Sequence, residues 1–135
     1  MSLKSKGTNA ERELFHLFWK QQWAVVRAAG SGSTKMPCPD LIAGNVNRKL
    51  AIECKVTKSV KQYLTRNEVE ELKQFCAWFG AEPWIAVKFN KTRSSTLLSW
   101  YFLTPNDLEE TEGNNYVVSI PLAKRRGLGF EELVR

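Results

Sequence analysis

One histidine, His16, and three cysteines, Cys38, Cys54 and Cys76, are all that 135 residues offer for nitrogen or sulfur ligation. No pair of cysteines has C-x-x-C spacing and no second histidine stands near the first, so a zinc cluster and a disulfide framework are both excluded. An odd set of unpaired thiols fits a reduced, cytoplasmic setting. Long apolar runs are missing too. Nothing approaches the ~20 residues of a membrane span, and Met1-Ser2-Leu3-Lys4-Ser5-Lys6 has no signal-peptide core. The glycines at 30 and 32 do not form G-x-x-x-x-G-K-[ST], which argues against a nucleotide cofactor. There is no internal repeat, low-complexity tract or linker, so one domain over 1–135 is expected, with 1–7 as a mobile basic tail.

What is present is positive charge. Twenty Lys and Arg face fourteen Asp and Glu, for a formal net charge of +6 and a pI near 9.4. That balance suits a polyanionic partner, nucleic acid above all. A hydrophobic fraction of 43% is ample for a folded core.

The most informative stretch runs from Pro39 to Lys55. Pro39-Asp40-Leu41-Ile42-Ala43-Gly44 and Lys49-Leu50-Ala51-Ile52-Glu53-Cys54-Lys55 flank a short Asn- and Gly-rich connection, which predicts a β-hairpin. With Gly44 facing Lys49, counting back brings Asp40 opposite Glu53. Cross-strand partners lie about 5 Å apart at Cβ, so two carboxylates are forced together and call for a cation. Alternation along the strand puts Glu53 and Lys55 on one face and Ile52, Cys54 and Val56 on the other.

Around this hairpin the pattern alternates between helix and strand. Thr8-Asn9-Ala10-Glu11 matches a capping box and predicts a helix beginning at Thr8, with Leu14, Leu17 and Phe18 on its apolar stripe. Glu11 therefore has a structural job on offer as a cap, and His16 reads as surface or core edge. Trp23 to Ala28 is β-prone. A polar loop from Ala29 to Pro39 follows, rich in groups that can meet phosphate. Thr65-Arg66-Asn67-Glu68 is a second capping box, opening a helix with Val69, Leu72, Cys76 and Phe79 on one stripe and Gly80 placed to end it. Phe79 fits that stripe as core, Phe75 stands beside it, and Trp78 lies off it. Pro83 to Phe89 and Thr96 to Leu103 read as strands around a polar turn, with a short helix at Pro105 and a brief strand over Tyr116 to Ile120. A basic cluster, Lys124-Arg125-Arg126, closes the pattern. The expectation is an α/β domain with a central mixed β-sheet flanked by helices.

Pro39-Asp40, then Glu53-Cys54-Lys55, is the pattern PD-x-[DE]-x-K spread over two strands. Paired carboxylates beside a lysine suit phosphodiester hydrolysis, and oxygen ligands favour Mg²⁺, with Mn²⁺ as a substitute. Asp40, Glu53 and the Cys54 backbone carbonyl are the candidate ligands, and Lys55 the group that orients or deprotonates water or stabilises phosphate charge. An ordinary surface hairpin with Lys55 paired to Glu53 is the plainer alternative.

Lys6-Gly7, Ala10-Glu11-Arg12-Glu13-Leu14, Ala24 to Ser31, Pro39 to Gly44, Ala51 to Lys55 and Phe75 to Gly80 together resemble the archaeal-type Holliday junction resolvases, within the PD-(D/E)xK nuclease superfamily. The resemblance spans Lys6 to Phe89, weakens after Asn90, and departs from the family in a longer loop between Ser31 and Asp40. It implies a restriction-endonuclease-like fold and a homodimer that nicks opposing strands of a four-way DNA junction, leaving 5′-phosphate and 3′-hydroxyl ends. By resemblance Glu11, Asp40, Glu53 and Lys55 fall on catalytic and metal-binding positions, with Glu11 a third acid acting through water or a second metal, and Ser31 falls on a catalytic loop serine. Arg12 and Arg27 fall on positions important for cleavage, where phosphate contact is the expected mechanism, and Phe75 and Phe79 on a dimer surface. Lys4, Lys6, Lys35, Lys58 and Lys61 are further candidates for DNA contact. The competing readings are another nuclease of the superfamily, of restriction or repair type, and a non-catalytic junction-binding protein.

Overall fold

The computed structural model describes residues 3–28, 35–90 and 100–135, with side chains from Asn9 onward. Helix α1 (Leu3–Lys20) leads into strand β1 (Ala24–Arg27), then β2 (Leu41–Gly44), β3 (Lys49–Thr57) and β4 (Lys61–Leu64). Helix α2 (Arg66–Phe79) returns the chain to β5 (Glu82–Phe89) and β6 (Trp100–Leu103). A 3₁₀ turn (Pro105–Asp107), β7 (Glu109–Glu110), β8 (Tyr116–Ser119), α3 (Ile120–Arg126) and α4 (Phe130–Leu133) complete it. Among the described residues no helix is long and apolar enough to cross a membrane.

Five strands form a mixed sheet in the order β1-β2-β3-β5-β6, with β3 and β5 parallel and the other neighbours antiparallel. The parallel pair needs a crossover, and α2 supplies it. Strands β4, β8 and β7 make a second, smaller sheet. The expected mixed sheet with flanking helices is the architecture observed.

Alternation along β3 divides the core in two. Leu50 and Ile52 pack with Leu14 and Phe18 of α1, joined at the edge by Cys54 and Val56. Ala51 packs with Val69, Leu72 and Cys76 of α2. The sheet is thus covered on both faces, with α1 and α2 opposed across it.

The two helix starts behave differently. Thr65 caps α2 as its sequence predicts: its hydroxyl accepts the Glu68 amide at 3.0 Å, and the Glu68 carboxylate reaches back to Thr65. Gly80, at φ 83°, ends the helix in the left-handed conformation that glycine adopts without penalty. By contrast α1 begins at Leu3, so Thr8 stands inside the helix rather than at its cap and the backbone of Lys4 to Gly7 is helical. Leu3, Lys4 and Lys6 are good helix formers, and each added residue gains a backbone hydrogen bond, which outweighs a cap signal five residues on.

Helix α2 also corrects the aromatic assignment. Val69, Leu72 and Cys76 are buried, but Phe79 is 47% exposed and Trp78 84% exposed, while Phe75 is half-buried. Phe79 belongs to the surface because the apolar stripe drifts around the helix and, in the last turn, passes the edge of the sheet it covers. His16 is exposed, in keeping with a surface role.

Candidate active site

The β2–β3 pairing runs Gly44 to Lys49, Ala43 to Leu50, Ile42 to Ala51 and Leu41 to Ile52. Past Leu41–Ile52 the regular pairing stops, and Asp40 bonds one residue out of step with it, yet its side chain still lies within hydrogen-bond reach of Glu53. Asp40 is outside the regular strand yet fixed on both sides: its N–H donates to the Ile52 carbonyl at 3.0 Å, and its own carbonyl accepts the Ala28 N–H at 3.0 Å. Its Oδ2 accepts the Cys54 amide at 2.8 Å. A carboxylate whose backbone and side chain are both tied down is pre-positioned for ligation.

Burial, the Asp40 charge and a hydrogen bond with Asp40 push the Glu53 carboxyl up to about 9. Lys55 opposes that rise, whereas Glu68 adds to it. Glu11 comes from α1. Burial and then Asp40 raise its pKa, countered by Arg27, whose Nε lies 3.7 Å from Glu11 Oε1. Burial works against the Lys55 ammonium, but Glu68 foremost, with Glu53 and Asp40, outweighs it and raises the lysine pKa. Burial also pushes the Cys54 thiol up, so it stays a neutral, protonated side chain packed toward α1.

These placements revise two expectations, the partner of Lys55 and the role of Glu68. Lys55 pairs with Glu68 of α2, at 2.5 Å, and not with Glu53. Arg27 also lies beside Glu11, with its Nε buried 3.7 Å from Oε1. Glu68, read from the sequence as a cap alone, joins the electrostatics of the site. The sequence carried one faint signal of this: a capping-box carboxylate uses one oxygen on its cap and has a second to spare.

Arg12, Lys35, Lys58 and Lys61 are exposed. Ser31 lies outside the described residues, as do the side chains of Lys4 and Lys6. Among the described residues no group of three or more His, Cys, Asp or Glu side chains is gathered to hold a metal. The ligand set available is therefore the Asp40–Glu53 pair, with Glu11 coupled to Asp40 from α1. Two neighbouring carboxylates, one of them raised in pKa by burial and by the other's charge, fit a hard divalent cation.

Glu13, two residues beyond Glu11, does structural work. It accepts hydrogen bonds from Lys88 Nζ at 2.8 Å and from Trp100 Nε1 at 3.2 Å, tying α1 to β5 and β6.

The family model described as archaeal Holliday junction resolvase (hjc) matches residues 2–135, so the likeness continues through the C-terminal third where the sequence motifs fade. The crossover junction endodeoxyribonuclease Hjc of Archaeoglobus fulgidus is 40% identical over 136 residues, covering 96% of both chains. That of Methanocaldococcus jannaschii is 38% identical over 129 residues, 96% of this chain and 86% of its own. The solved structure of A. fulgidus Hjc, a Holliday junction resolvase, superposes with a TM-score of 0.83 at 38% identity, over 96% of this chain and all of the other. With its likeness running nearly end to end, in sequence and in fold, this chain belongs to the archaeal Holliday junction resolvase (Hjc) family.

Proposed function

We propose that the chain is a Mg²⁺-dependent endodeoxyribonuclease that resolves four-way DNA junctions by paired nicks in opposing strands, leaving 5′-phosphate ends. The observation that carries the chemistry is Asp40 and Glu53 facing each other beside Lys55, in a chain of this family. Asp40 and Glu53 would hold the cation, with the Cys54 carbonyl beside them and Glu11 contributing through water. Such an ion supplies Lewis acidity at the scissile phosphate and lowers the pKa of a bound water.

The chain's own groups do the rest. Asp40 is anchored by the Cys54 amide, which keeps one carboxylate in place as Glu53 gives up its proton. Lys55, raised in pKa, is an ammonium at neutral pH, which suits it to stabilising phosphate charge more than to removing a proton. Arg27 restrains Glu11, and the exposed Arg12, Lys35, Lys58 and Lys61, with Lys4, Lys6 and the loop residue Ser31, are the candidates for contact with the DNA backbone.

A homodimer supplies the second active site that paired nicking requires. Phe75 and Phe79 stack at 5.1 Å and, with Met36, Pro37, Gln74 and Trp78, line an apolar hollow of about 390 Å³ on α2. Exposed aromatics of this kind favour burial against a second copy.

The deciding experiment is cleavage of a synthetic four-way junction beside a linear duplex built from the same arms, with Mg²⁺ and with chelator. Symmetrical nicks at the junction, dependent on the metal and abolished by Glu53→Gln, are expected. Equal cutting of the duplex points to a different nuclease, and binding without nicking to a non-catalytic protein.

A further inference from the structure

Glu68 holds two partners at once. Its Oε1 lies 3.3 Å from Thr65 Oγ1 and 3.5 Å from the Thr65 amide, completing the capping box, while Oε2 lies 2.5 Å from Lys55 Nζ. Oε2 is shut off from solvent, and both side chains are at least two-thirds covered. This is not the solvent-exposed pairing that contributes little. Glu53, two residues from Lys55 on the same strand face, would be the nearer partner in sequence. The lysine instead spans from β3 to the first turn of α2.

We propose that Glu68 is a positioning residue for Lys55, fixing the end of a flexible side chain in the place from which it acts on the phosphate. A lysine on a strand has four rotatable bonds, and each free rotamer is a misplacement of the ammonium. The ion pair with Glu68 holds Lys55, and the rigid start of α2, which carries Glu68, thereby sets the geometry of a group on β3. A capping box alone would need no charge, since glutamine caps in the same position. The inference rests on the reading that Lys55 takes part in cleavage.

The same distinction provides the test. Glu68→Gln keeps the cap and removes the ion pair; Thr65→Ala weakens the cap and leaves the ion pair in place; Lys55→Met removes the lysine. Each full-length variant is measured for junction affinity in Ca²⁺, for single-turnover junction cleavage at saturating enzyme in Mg²⁺, and for thermal midpoint. Glu68→Gln is expected to bind the junction as the wild type does and to cleave it about 10–100-fold more slowly, the scale of a small misplacement of a catalytic group. Thr65→Ala is expected to lower the midpoint and cleave within about 3-fold of wild type below it. In the Lys55→Met background, Glu68→Gln should slow cleavage no further. Wild-type rates in Glu68→Gln with Lys55→Met inactive overturn the positioning role. Equal slowing in Glu68→Gln and Thr65→Ala also overturns it, because the loss then follows the cap. Wild-type cleavage by Lys55→Met overturns the reading of the lysine beneath it.

Discussion

Glu53 is buried beside Asp40, and burial first, then the Asp40 charge and their shared hydrogen bond, push its carboxyl up to about 9. The end of the hairpin brings the two side chains together, and the fold bears the cost.

The first consequence is a pH-dependent stability with a definite sign. A carboxyl whose pKa is raised in the native state stays protonated there while the unfolded chain releases the proton, so its contribution to stability falls as pH rises from 4.5 to about 9. Glu53→Gln removes that dependence. Without metal, the variant is expected to melt above wild type by roughly 3 °C or more at pH 8, and to match it near pH 4.5. Added Mg²⁺ should raise the wild-type midpoint and leave the variant's unchanged. Thermal scans across pH decide the matter, and a variant less stable than wild type at pH 8 would count against the proton-sharing pair.

Arg27 acts on Glu11, so its loss should show in chemistry more than in binding. Arg27→Ala removes the cation that lowers the Glu11 pKa and frees the carboxylate to move. Cleavage is expected to fall by about 10-fold or more, with junction affinity changing by less than about 3-fold. A fall confined to affinity, measured by titration in Ca²⁺, would identify Arg27 as a phosphate contact after all.

Trp78 and Phe79 lie on the surface of the single chain and should matter to assembly, not to its folding. Trp78→Ser combined with Phe79→Ser is expected to leave the far-ultraviolet spectrum intact and to lower the mass seen by sedimentation from dimer to monomer. An unchanged dimer would move the interface elsewhere.

Glu13 should matter to stability. Glu13→Ala leaves the Lys88 ammonium and the Trp100 indole N–H without their shared acceptor, and Lys88 is only 15% exposed. The expected loss is about 2 kcal/mol. Urea unfolding measures it, and a change below about 0.5 kcal/mol would mean that water replaces the carboxylate.

Much of this site was legible from local pattern. The register of the hairpin follows from which residues alternate and how many lie in the turn, so counting gives the pairing from Gly44–Lys49 to Leu41–Ile52, while the bond from the Asp40 N–H to the Ile52 carbonyl, one residue out of step, was not countable. The face shared by Glu53 and Lys55 follows from the same period of two. The cap and stop of α2 were readable because Thr65, Glu68 and Gly80 act through atoms three or four residues away. The family likeness had the same local basis, resting on segments that contain these motifs.

Only the tertiary structure decided which charges meet across elements. That Lys55 would turn to Glu68, 13 residues on, depends on the crossover that lays α2 against β3 and β5. That Arg27 would restrain Glu11 depends on α1 packing over β1. Helix α1 starting at Leu3 and Phe79 reaching the surface were likewise set by competition between a local preference and the extent of the neighbouring element. Sequence periodicity specifies faces and short-range partners because it reflects backbone geometry. The partners of long, flexible charged side chains are chosen by where the fold places the opposite charge.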